Sequence, residues 1–215
     1  MIKAWRVKAD DSALIDPAAS EWRTPPATIL ALDPTPLLSQ PSLYVQAKWE
    51  TIEYGATGEV SVQALHNDNG IFFRLQWNDE TENADIADTD QFTDAAAVLF
   101  PVNKDAPLTS MGSAEQPVNA WYWRPDLEAP FSVTSQGTGT TIRTVDPSLR
   151  ANGSHKGAAW AVVIGRALRS AGDGNVQLAA GRTSKVAFAV WQGGNNERAG
   201  LKAVTLEWQP LELET

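Results

Sequence analysis

Apolar and polar residues alternate through Glu59-Val60-Ser61-Val62-Gln63-Ala64-Leu65, the period-two pattern of a strand buried on one face. A turn cluster, His66-Asn67-Asp68-Asn69-Gly70, follows at once, and then a second run, Ile71-Phe72-Phe73-Arg74-Leu75-Gln76-Trp77. The whole stretch reads as a β-hairpin. Further strand signals lie at 42–50, 95–100 (stopped by Pro101), 118–123, 157–166, 185–191 and 203–208. Turns rich in Gly, Asn and Pro separate them, and helical periodicity is weak except for a turn or two near 89–96. Residues 1–40, with Pro17, Pro25, Pro26, Pro34 and Pro36, read as extended edge strands and loops. There is no internal repeat and no dividing linker. The pattern predicts one all-β domain over residues 1–215, an antiparallel β-sandwich with long loops and little helix.

Composition narrows the function classes. The chain has 215 residues, 43% of them hydrophobic and 20% charged, as in globular domains. Its longest apolar runs, such as Val186-Ala187-Phe188-Ala189-Val190-Trp191, have the length of a buried strand, far short of the roughly 20 residues that span a bilayer. A formal net charge of −9 and the lack of a basic cluster argue against nucleic acid and against anionic membrane surfaces. Cysteine is absent, which removes disulfides, Cys-ligated zinc, iron–sulfur clusters, thiol catalysis and covalent haem attachment. The N-terminal stretch MIKAWRVKADDSALID lacks the apolar core of a secretory signal.

Candidate chemistry is sparse. Gly-x-Ser-x-Gly, P-loop and dinucleotide-binding patterns are missing. His66 and His155 both fall in turn-like contexts and read as polar loop residues. The acidic run Asp79, Glu80, Glu82, Asp85, Asp88, Asp90 and Asp94 lacks the order of a calcium-binding hand loop and reads as a solvated loop. Of nine tryptophans, Trp49, Trp77, Trp160 and Trp208 are expected in the sandwich core; an exposed aromatic row would instead suit sugar rings, which keeps a carbohydrate-binding module open as an alternative. Met111 stands out. It is the single methionine besides Met1 and lies in the polar turn Ser110-Met111-Gly112-Ser113, where a thioether is either incidental or a soft metal ligand. Alternation places Lys185 on one face with Ala187, Ala189 and Trp191. On the residues alone, Lys185 and Lys202 read as solvent-facing.

Three segments, in this order, carry a family resemblance: Phe92-Thr93-Asp94-Ala95-Ala96-Ala97-Val98-Leu99-Phe100-Pro101, then Met111-Gly112 through Trp123, then 185–200 with Val186-Ala187-Phe188-Ala189-Val190-Trp191-Gln192-Gly193-Gly194-Asn195 and Glu197-Arg198. Together they resemble the haem b-binding γ subunit of ethylbenzene dehydrogenase-like type II molybdenum enzymes, in the dimethyl-sulfoxide-reductase family. The resemblance spans about residues 40–208. It implies a β-sandwich holding one non-covalent haem b at one end, with Met111 and Lys185 as axial ligands of the iron and Lys202 as the fallback. Trp121, Trp123 and Trp191 become candidate pocket walls, and Arg124, Arg166 and Arg182 candidate partners of the haem propionates. The implied role is non-catalytic. Electrons would arrive from the iron–sulfur β subunit of a heterotrimer whose α subunit carries the molybdenum cofactor, and would leave to an external acceptor such as a cytochrome. The resemblance leaves open, as an alternative, the same haem subunit of a selenate or chlorate reductase or of a dimethyl sulfide dehydrogenase complex. The implied compartment is the periplasm, reached alongside a signal-bearing partner.

Overall fold

The computed structural model describes residues 1–103, 105–172 and 174–215. Strand β1 (Ile2–Arg6) is followed by a short helix α1 (Asp11–Leu14), β2 (Thr28–Ala31), β3 (Asp33–Pro34) and helix α2 (Leu43–Trp49). The expected hairpin is β4 (Glu59–His66) with β5 (Gly70–Asn78). Next come β6 (Ala95–Pro101), β7 (Val118–Trp123), β8 (Phe131–Ser135) and β9 (Ile142–Thr144). β10 (Arg150–His155), β11 (Ala159–Ala167), β12 (Thr183–Trp191), β13 (Ala203–Val204) and β14 (Gln209–Leu213) complete the series.

Two layers result. One runs β10-β11-β5-β4-β1-β14, with β2 added on β4; the other runs β6-β7-β8-β9, with β13 and β3 attached through β12. β12 belongs to both. Its residues 183–186 pair with β14, and from Ala187 to Trp191 it pairs with β6. The main core lies between the layers and includes Phe73, Phe100, Trp121, Trp160 and Val190. Trp121 is fully buried there, its ring 4.5 Å from that of Phe100.

The all-β sandwich is as expected, with local corrections. β1 is no edge strand. It sits inside its sheet, parallel to both β4 and β14, so the sheet is mixed. Residues 43–49 form helix α2, where a strand was expected. Ser42 caps it by accepting from the Val45 amide, and Val45 and Trp49, four apart, share one helical face. The Tyr, Val and Trp that suggested a strand here reflect packing more than backbone preference. No helix forms over 89–96; Ala95 and Ala96 already belong to β6. His66 ends β4 fully buried, and is no surface loop residue.

Every residue of β6 is buried, although one face of an antiparallel sheet commonly meets water. Ala96, Val98 and Phe100 enter the main core, whereas Ala95, Ala97 and Leu99 face outward into a second apolar cluster with Ala120, Ala187, Ala189 and Trp191. Something must cover that outer face. What covers it defines the site.

Candidate cofactor cavity

The outer face of the second layer forms the floor of a cavity of about 570 Å³, within the range of small-molecule and cofactor sites. The floor is built from small side chains, Ala97, Ala120 and Ala187, between Leu99 and Val133. Alternation explains it: the bulky neighbours Val98, Trp121 and Val186 point the other way, into the main core. Tyr122, Phe131 and Trp191 make an aromatic wall, with ring centroids 4.9 Å apart for Tyr122–Phe131 and 5.2 Å for Tyr122–Trp191. Burial pushes the Tyr122 phenol up to about 12, so the wall stays neutral. Val45 and Trp49 of α2 close the roof, with Thr35 and Gln40 from the preceding segment.

Met111 lines this cavity. Its backbone is left-handed, φ 58°, a conformation uncommon for a non-glycine residue and often found where function demands it. The turn is held by Met111 N–H donating to Leu108 O at 3.0 Å, Gly112 N–H to Pro107 O at 2.8 Å and Gly137 N–H to Met111 O at 3.0 Å. Gly112 has φ 88°, and a Cβ there would lie 2.8 Å from Gln116 O. Only glycine lets the chain pass at that point.

Lys202 lines the same cavity. It is buried, and its Nζ donates to a single carbonyl, Ala199 O at 3.4 Å, beside the Trp191 ring at 5.1 Å. Among the described residues no carboxylate forms an ion pair with it. Burial therefore pushes its ammonium down to about 8 from the ordinary 10.5, a penalty of roughly 3 kcal/mol on the charged form. The loop bearing it is tied down. Thr35 N–H donates to Lys202 O at 2.9 Å, Gln40 Nε2 to Gly200 O at 3.0 Å and the Trp191 indole to Ala199 O at 3.1 Å. Buried Glu197 accepts from the Ala56 and Gln192 amides at 2.8 and 3.0 Å.

Lys185 does not join them. It is half-exposed and its Nζ donates to Asp105 at 2.5 Å. The face assignment by alternation was sound, since Ala187 and Trp191 do line the cavity. Lys185, however, pairs with Pro210 of β14, on the stretch of β12 that belongs to the other layer. The strand changes sheets between it and the floor.

Of the expected walls, Trp191 lines the cavity, whereas Trp121 and Trp123 lie in the main core. Trp77 and Trp160 are core as expected, Trp49 roofs the cavity, and half-buried Trp208 packs on the outer cluster. None of the three expected arginines lines it. Arg166 is buried against Asp146 and Asn119 in the interior, Arg124 pairs with Asp126, and Arg182 is exposed. Arg198 and Lys48 are the other cationic side chains among the lining residues. Arg198 had a signal, its place beside Glu197 in the third family-like segment; Lys48 had none once its segment read as a strand. The cavity thus combines an apolar, flat-floored volume, a soft thioether, an amine without a carboxylate partner and two further cations.

The family model described as ethylbenzene dehydrogenase matches residues 20–147 and 135–203. The γ subunit of chlorate reductase from Ideonella dechloratans is 37% identical over 98% of this chain and 84% of its own length. A Haloferax mediterranei protein provisionally assigned as a respiratory nitrate reductase haem subunit is 36% identical over 89% of this chain and 66% of its length. The γ subunit of dimethylsulfide dehydrogenase from Rhodovulum sulfidophilum is 35% identical, covering 70% of this chain and 58% of its own. In fold, the chain is similar to a family 9 carbohydrate-binding module from Caldicellulosiruptor kristjanssonii solved with glucose. The TM-score is 0.52 at 10% identity, covering 99% of this chain and 95% of that one. At that identity the likeness concerns the sandwich alone.

Proposed function

The chain belongs to the ethylbenzene dehydrogenase family, and from that premise we propose that it is the haem-carrying, non-catalytic γ subunit of a multi-subunit molybdenum-dependent oxidoreductase. One non-covalent haem b would occupy the Met111–Lys202 cavity. The observation that carries this reading is a buried lysine with no carboxylate partner among the described residues, lining the same apolar cavity as a methionine held in a left-handed turn. Lys202 replaces Lys185 as the proposed second ligand, because Lys185 lies outside the cavity on Asp105.

When bound, the haem supplies a one-electron ferric/ferrous couple. Met111 offers a soft, neutral sulfur, which favours the ferrous state and raises the potential. Lys202 can ligate only as the free amine, and its burial has already lowered the cost of losing the proton. The alanine floor admits a flat ring, and the aromatic wall keeps water from it. Arg198 and Lys48 are suited to the propionate carboxylates. With Met111 and Lys202 both holding the iron, the group would offer no position to substrate and would serve electron transfer alone. Electrons pass between an iron–sulfur subunit and an external acceptor, and substrate choice rests with the molybdenum subunit, whether an ethylbenzene-like hydrocarbon, chlorate, selenate or dimethyl sulfide. In this reading the complex lies in the periplasm. Among the described residues no helix is long and apolar enough to cross a membrane.

Co-expressed with its partner subunits, the chain should purify with a Soret band of six-coordinate, low-spin haem that acid–acetone extracts completely. Haem that stays with the polypeptide, or a loaded complex without haem in this chain, would refute the assignment. Met111→Ala should keep the fold while losing haem or lowering its midpoint potential. Equal haem content and equal potential in redox titration would remove Met111 from the site.

A further inference from the structure

Alternation puts Trp191 on the cavity side of β12 with Ala187 and Ala189. From there its indole reaches the loop that bears Lys202, and the indole N–H donates to Ala199 O at 3.1 Å. The same carbonyl accepts from Lys202 Nζ at 3.4 Å, so both of its lone pairs are in use. The Trp191 ring also stands 5.1 Å from that nitrogen, within reach of a cation–π contact. Trp191 thus meets the amine twice, by its ring and through a shared carbonyl.

The turn that presents this carbonyl has little freedom. Ala199 is left-handed, φ 51°, a region uncommon for a residue with a Cβ and kept where the surroundings over-determine it. Leu201 N–H closes the turn on Arg198 O at 2.9 Å. A Cβ at residue 200 would overlap Gln40 Oε1, in the segment before α2, so the tip of the turn is pressed against the cavity roof. A free amine has two N–H groups and one lone pair. With one N–H held by Ala199 O, the lone pair faces away from the carbonyl and is open to a metal. An acceptor behind a metal-bound nitrogen orients it and makes it the stronger donor.

We infer that Trp191 is a positioning residue for the lysine ligand: its indole fixes the Ala199 carbonyl, and the carbonyl orients the Lys202 amine for iron. This role rests on the haem reading above and gives Trp191 a hydrogen-bonding part besides that of a wall. A stronger amine donor favours ferric iron, so loss of the indole N–H shifts the couple toward the ferrous form.

Trp191→Phe keeps an aromatic ring in the wall and removes the indole donor. In redox titration of the haem-loaded complex it should shift the one-electron equilibrium about fivefold toward ferrous iron, the usual worth of one hydrogen bond. In the Lys202→Met background the same substitution should shift nothing, because the amine through which it acts is gone. An equal shift in both backgrounds, or none in either, would overturn the role while leaving the haem in place. In the haem-free chain, hydrogen exchange of the Leu201 amide should quicken about fivefold in Trp191→Phe, and unchanged exchange would also overturn the role. A parent complex without haem in this chain fails the haem reading itself, and the role falls with it. If Trp191→Phe does not fold, a benzothiophene analogue of the Trp191 indole, isosteric but lacking the N–H, replaces it in each measurement.

Discussion

Lys202→Met is expected to change the absorption spectrum of the haem-loaded protein toward bis-thioether ligation and to abolish its acid transition, whereas Lys185→Met leaves both unaltered. The argument is a competition between a proton and iron for one amine. Burial holds the Lys202 ammonium near 8, with no carboxylate paired to it among the described residues; Lys185 is half-exposed on Asp105. The haem-free protein carries a second signature. Below about pH 8, native and unfolded chains both hold the Lys202 proton, and the burial penalty is constant. Between about 8 and 10.5 the unfolded chain holds it and the native chain does not, so stability rises with pH, by roughly 3 kcal/mol over the window. Above that the contribution levels off. In Lys202→Met this rise should vanish, and the variant should be the more stable of the two at pH 7. Urea denaturation of parent and variant at several pH values measures the difference. Matching slopes would show that Lys202 is not the buried amine argued here, and a spectral change confined to Lys185→Met would restore Lys185 as ligand.

The second large effect separates the two faces of β7. Ala120 is floor and Trp121, the next residue, is core. Ala120→Phe should put a ring into the cavity and reduce haem content about tenfold or more. The cavity has room for the ring, so the fold should survive with little of the usual overpacking cost. Trp121→Ala should instead cost about 3–5 kcal/mol of stability, because it empties a site packed against Phe73 and Phe100. Haem content and chemical denaturation, measured on both variants, give opposite orders. If Trp121→Ala loses haem at unchanged stability, the floor has been placed on the wrong side of the sheet.

Strand patterns carried much of this architecture in the sequence. The period-two runs at 59–65 and 71–77 became β4 and β5 because each has a clear buried face. Met111 was visible for chemical reasons, as a thioether in a polar turn. The second lysine was not, because alternation fixes which face a residue takes but not where a strand leaves its sheet, and β12 changes partners between Val186 and Ala187. The cavity floor was half-legible. Ala95-Ala96-Ala97 and Ala187-Phe188-Ala189 show strands buried on both sides, but what covers the outer side is helix α2, seven residues whose Tyr, Val and Trp suit either a strand or a helix.

The place of β1 has a consequence for the order in which the protein is made. Its residues 2–6 lie between β4 and residues 211–213 of β14, so β1 cannot complete its pairing until β14, far later in the chain, has been made. On a ribosome, the layer holding β1 stays incomplete until β14 has emerged, and Lys202 emerges only shortly before it. Pairings of such sequence separation form slowly. Closure of that layer therefore follows synthesis of β14, and losing residues 209–213 would open it beside β1.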